Sequence, residues 1–177
     1  KPHILFVESA WFGKNGSWRG KVAYVNETNT LQLDEILEWC KAYDIPTVFW
    51  NKEDPVHFNA YIKTAVKFDY IFTTDSNSVE EYLKHVNHSN VYTLPFAAQP
   101  QIHNPIYKFK RIDKSCFAGS YYAENFYERQ NDMNQLLKAA QNFGLVIYDR
   151  NYGRGLKQYS FPNQFSENIL GKLNADE

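Results

Sequence analysis

The chain has 177 residues, 44% of them hydrophobic and 22% charged, so it can bury a core and does not read as a disordered segment. Nineteen basic against twenty acidic residues leave a net charge of −1, with no basic block, so neither nucleic acid nor a membrane surface is an expected partner. No apolar run approaches the ~20 residues of a membrane helix and no signal-peptide pattern opens the chain, so a cytoplasmic protein with no transmembrane segment is expected.

Four short apolar runs, at 4–7, 47–50, 70–73 and 91–94, are rich in Val, Ile, Phe and Tyr and read as strands. They lack polar alternation, which predicts a parallel sheet covered on both faces. Between them lie helix signals. Leu33, Ile36, Leu37 and Cys40 share one helical face that ends before Pro46. Asp54-Pro55 reads as an N-cap followed by proline at the first helical position. Ser78-Val79-Glu80-Glu81 reads as a capping box, with Val79, Tyr82, Leu83 and Val86 along one face.

From Leu94 to Lys114 the chain carries three prolines and no period, which predicts a first Rossmann-like domain over 1–101 and a linker over 102–113. A second βα system then starts at 114 and extends to 177. Its first strand runs Ser115-Cys116-Phe117-Ala118 into the Gly119-Ser120 turn. A long helix follows with Met133, Leu136, Leu137 and Ala140 on one face and Gly144 past its end, and 145–148 is the next strand. Two strands and one helix are expected here, with Asn174-Ala175-Asp176-Glu177 opening a further helix, so the protein is expected to continue. Cys40 and Cys116 each lie in apolar runs and read as buried, reduced thiols.

Ligands of open α/β sheets gather at the carboxyl ends of the strands, so the residues just after each run are the candidates for chemistry. After the first come Trp11, Gly13, Trp18 and Arg19, in a glycine-rich stretch that reads as a mobile loop able to cover a sugar or anion. Its glycines lack the dinucleotide spacing. After the second come Asn51, Lys52, Glu53, Asp54 and His57, where a carboxylate or imidazole can take a proton from a hydroxyl. Asp75 reads first as a helix cap and second as a substrate contact, and Gln99 closes the stretch after the fourth strand. In the second system Gly119, Ser120 and Tyr121 allow backbone N–H groups near a phosphate, with Arg129 as counter-charge. The chain has no Gly-x-Ser-x-Gly elbow and no phosphate-loop lysine. No metal site is expected, since Asp54 and His57 alone are too few ligands.

The runs Pro2–Trp11, Ile45–Pro55, Phe68–Asp75, Leu94–Pro100 and Cys116–Tyr122 together resemble bacterial CgeB-like glycosyltransferases of the GT-B group, found among cell-surface polysaccharide and spore-coat functions. The resemblance implies two Rossmann-like domains, the first holding a carbohydrate or polyol-phosphate acceptor and the second, truncated here, a nucleotide-sugar donor. It also implies metal-independent chemistry in a cleft between domains, with no cofactor, and a fragment that is inactive alone. In that setting Glu53, Asp54 and His57 supply the base, Trp11 and Trp18 stack on a sugar, and Gly119, Ser120 and Arg129 approach the donor diphosphate. The rivals are a non-catalytic ligand-binding or interaction module on the same scaffold and a metal-dependent hydrolase using Asp54 and His57.

Overall fold

The computed structural model describes residues 1–24, 29–103 and 112–173. The protein is mixed α/β, with two compact units, Lys1–Asn104 and Pro105–Glu177, each built on a parallel sheet flanked by helices. The greater part of the expected linker, and the expected helix start at 174–177, lie outside the described residues.

In the first unit β1 (Leu5–Glu8), β2 (Thr47–Asn51), β3 (Tyr70–Thr73) and β4 (Val91–Thr93) pair in parallel in the order β1-β2-β3-β4. Helices α1 (Leu31–Ala42), α2 (Phe58–Ala65) and α3 (Ser78–Leu83) connect successive strands. Each crossover steps to the next neighbour in the same direction. Right-handed crossovers of that kind put every helix on the same face. The register agrees, because Val7, Phe49, Ile71 and Val91 lie opposite one another. All four pack into one core with Leu33 and Leu37 of α1, Tyr61 and Ala65 of α2, and Tyr82 of α3. The other face carries Phe6, Trp50, Phe72 and Tyr92, with Phe6 50% and Tyr92 47% exposed. Cover on both faces, inferred from unbroken apolar strands, is therefore not what the described residues provide. On the far side Val48 is buried and the aromatic residues shield one another, as in the 6.3 Å contact of Phe6 with Trp50.

Helix α1 buries Leu33, Leu37 and Cys40 as its spacing predicts, with Ile36 at the margin. Two helix starts differ from expectation. Helix α2 begins at Phe58 with His57 in the cap position, because residues 53–57 form a turn closed by the His57 N–H donating to the Glu53 carbonyl. Pro55 is thus not at the first helical position, its peptide bond with Asp54 is cis, and the Asp54 carboxylate points elsewhere. Helix α3 has no capping box: Ser78 is its first residue, and Glu81 pairs forward with Lys84 at 2.6 Å instead of reaching back.

The second unit has a three-stranded parallel sheet of β5 (Cys116–Gly119), β6 (Val146–Asp149) and β7 (Ile169–Gly171), with α4 (Tyr127–Gln141) packed on it. Phe117, Ile147 and Ile169 lie opposite one another and share a core with Leu137, Phe161 and Phe165. Strand β7 was not expected. It is three residues long and irregular in pairing, so no apolar run announces it. Two further expectations fail here. Leu136 is 71% exposed, because only Met133, Leu137 and Ala140 of α4 turn toward the sheet. Cys116 is exposed while Cys40 is buried, since Cys116 points away from the face that α4 covers. No helix among the described residues is long and apolar enough to cross a membrane.

Candidate functional site

A connected set of polar residues lies at the carboxyl edge of the first sheet. Asn51, the last residue of β2, is fully buried and organises this edge. Its Oδ1 accepts the Glu53 N–H at 3.1 Å, while its Nδ2 donates to Asp54 Oδ1 at 2.7 Å and to Tyr82 Oη at 2.8 Å. Asp54 Oδ2 then accepts from Thr73 Oγ1 at 2.7 Å and from Tyr82 Oη at 2.9 Å. One carboxylate thus ties the ends of β2 and β3 to α3. Burial raises the Asp54 carboxyl above its usual range, with the hydrogen bonds from Thr73 and Tyr82 pulling the other way. Burial also raises the Tyr82 phenol, which stays protonated and so donates.

Around this knot the other groups divide into tied and untied. Lys52 pairs with Glu8 at 2.7 Å and lies 5.7 Å from the centre of the Trp50 ring, and its N–H donates to the buried Ser9 hydroxyl. Asp75 accepts the Asn77 N–H and the Ser78 hydroxyl, at 3.3 and 2.8 Å, so its carboxylate closes the turn that leads into α3. The Glu53 carboxylate is only partly buried and is held by no hydrogen bond or ion pair among the described residues. His57 is exposed, with its ring edge-on to Trp11 at 4.9 Å.

In the glycine-rich stretch after β1 the two tryptophans pack inward while residues 12–17 are exposed. Trp11 and Trp18 are partly buried against the core, and Trp11 also meets Tyr61 at 5.2 Å. Gly13 has φ +64, and a Cβ there would lie 2.8 Å from Trp18 Cβ, so this turn needs glycine. Arg19 is exposed and stacks over Phe12 at 5.7 Å. Gln99 lies in a separate turn, its N–H donating to His103 Nδ1 at 2.8 Å.

In the second unit Gly119 ends β5, and the Ser120 hydroxyl accepts from Asn151 Nδ2 at 3.1 Å. Tyr121 is buried on Phe161 and donates to Asn134 Oδ1 at 3.1 Å, so it belongs to the core. Arg129 is exposed and lies over the Tyr122 ring at 5.4 Å. Helix α4 starts only at Tyr127, so the Gly119-Ser120 turn does not lead directly into a helix N-terminus.

A groove of about 900 Å³ lies at the opposite, amino edge of the first sheet, lined by Asp34, Lys41, Lys67 and Asp69 among others. Some of its charged groups are occupied, while the side chains of Glu38, Lys41 and Asp44 make no hydrogen bond or ion pair among the described residues. Lys67 pairs with Asp34 at 2.6 Å, and Asp69 accepts both the N–H and the hydroxyl of Thr47 at 2.8 Å. The carboxyl edge, with free Glu53 and His57, is the better candidate because ligands of open parallel sheets gather at the carboxyl ends of the strands. Among the described residues no group of three or more His, Cys, Asp or Glu side chains converges as a metal site would require.

Sequence reasoning found Asn51, Lys52, Glu53, Asp54, His57 and Asp75 at this edge. It missed Ser9, Tyr61, Thr73 and Tyr82. Thr73 was counted as the end of a strand and Tyr82 as an apolar helix residue; their hydroxyls at a strand end and on a buried face were the available signals. No protein-family model, curated protein or solved structure matches the chain.

Proposed function

We propose that this chain belongs to a CgeB-like glycosyltransferase of the GT-B group, which moves a sugar from a nucleotide-sugar to a cell-surface carbohydrate or polyol-phosphate acceptor in the cytoplasm. In this reading the first unit receives the acceptor and the second the donor. The observation that carries it is the carboxyl edge of the first sheet, where an untied imidazole stands edge-on to a tryptophan and the untied Glu53 carboxylate follows a buried polar base. Sugar chemistry asks for those parts: an aromatic surface for the ring and a base for the hydroxyl.

The step is a displacement at the anomeric carbon. The acceptor oxygen bonds to that carbon, the bond to the nucleoside diphosphate breaks, and the diphosphate leaves with the electron pair. The acceptor proton passes to Glu53 or His57. Asp54 is better suited to positioning, because its oxygens already accept from Asn51, Thr73 and Tyr82. Sugar transfer by the full-length protein, screened over a nucleotide-sugar panel after thermal-shift selection of donors, tests the reading. Glu53→Ala together with His57→Ala is expected to reduce transfer by at least ~100-fold, the usual contribution of a general base. Binding without transfer by any donor would instead favour a non-catalytic module.

A further inference from the structure

We propose that the Tyr61 hydroxyl is a binding contact for a hydroxyl of a neutral sugar or polyol, reached when the Trp11 ring turns away from it. The inference rests on the sugar-transfer reading and adds a subsite at the same edge of the first sheet. Tyr61, on α2, is fully buried, and its Oη has no hydrogen-bond partner among the described residues. It is the only buried side-chain polar atom among them in that condition. The buried hydroxyls of Thr73 and Tyr82 nearby are all paired. Buried polar groups are paired as a rule, so a single exception beside a candidate site asks what its partner is.

The surroundings describe that partner. Trp11 meets both Tyr61 and the exposed His57, at 5.2 and 4.9 Å. Trp11 thus links Tyr61 to His57, and in this proposal a turn of the indole about its own side-chain bonds opens the hydroxyl. The negative charge of Glu53 acts on the same hydroxyl, which burial keeps protonated. A neutral phenol that donates and accepts, beside an indole and an untied carboxylate, suits a ligand with several hydroxyls on a carbon ring. An anion would meet the charge of Glu53, and a simple cation would leave the phenol unused.

Thermal-shift titration of the 177-residue chain with glucose, N-acetylglucosamine and ribitol, alongside Tyr61→Phe, tests this. The wild-type midpoint is expected to rise with at least one probe. Without probe, Tyr61→Phe is expected to melt at the wild-type temperature or above it, because an unpaired hydroxyl is being removed. With probe, it is expected to bind at least about tenfold more weakly. Equal binding by the variant, a probe-free midpoint several degrees lower, or no wild-type response to any probe would each overturn the subsite. Transfer by the full-length protein is read separately. Tyr61-dependent binding without transfer keeps the subsite and removes the enzyme, whereas normal transfer and binding by Tyr61→Phe does the reverse.

Discussion

Glu53 and Asp54 are neighbours in sequence but stand in different surroundings, and the difference is measurable. Asp54 receives an amide and two hydroxyls, and hydrogen bonds to a charged group contribute about 1.5–3 kcal/mol each when intact. Asp54→Ala should therefore lose on the order of 3 kcal/mol of stability in urea unfolding, whereas Glu53→Ala should stay within about 0.5 kcal/mol of wild type. Asp54→Asn is subtler. Its carbonyl can still accept from Asn51, but its NH2 would face the Thr73 and Tyr82 hydroxyls, which donate to Asp54 in the wild type. The pH dependence follows from the raised folded-state pKa. Between the ordinary value of 3.8 and the raised one, the folded state holds the proton more often than the unfolded state. The Asp54 contribution is complete below 3.8 and declines as pH rises through the folded value. Wild type should accordingly hold its largest stability advantage over Asp54→Asn at low pH, and unfolding of both across about pH 3 to 7 would show it. A gap that widens with pH would contradict the burial of that carboxyl.

Among elements, the stretch after β1 gives the sharpest contrast. Gly13→Ala puts a methyl group against the Trp18 side chain at positive φ, while Gly16, at φ +77, has open space around the same position. Strained backbone and overpacking together predict a loss of about 2–4 kcal/mol at Gly13, against about 1 kcal/mol of backbone cost at Gly16. Equal losses would mean that Trp18 yields easily. At the amino edge, the hydrogen bond from Lys67, with that of Thr30, outweighs burial and lowers the Asp34 carboxyl, and Lys67 is raised in return. This pair contributes above the unfolded value of 3.8 and is lost as pH falls through the lowered folded value. Lys67→Ala should thus lower the melting temperature at neutral pH and have little effect in acid or high salt. The elements themselves were largely legible, because β2, β3 and α1 have the composition and period of what they form. Strand β7 and the start of α2 were not, since β7 pairs only through distant β6 and Asp54 turns inward to Thr73 and Tyr82, both distant in sequence. The site was half legible for the same reason: Asn51 to His57 are contiguous, but the hydroxyls that hold them come from β3 and α3.

At the scale of the whole molecule, the two thiols report on the two units separately. Cys116 is exposed in the second unit, and Cys40 is buried in the first, where burial also raises its thiol pKa. A thiol reagent should modify Cys116 in the native protein and reach Cys40 only as the first unit opens. Rapid native labelling of both would contradict the packing of α1 on the sheet. Each βα pair of the first unit rests on the pair before it, since the strands sit side by side in the order in which they occur along the chain. No strand waits for a partner made much later. That arrangement suits assembly during translation: as the ribosome releases each strand and its helix, the docking surface for them has already emerged, and the sheet can grow in one direction from β1 to β4.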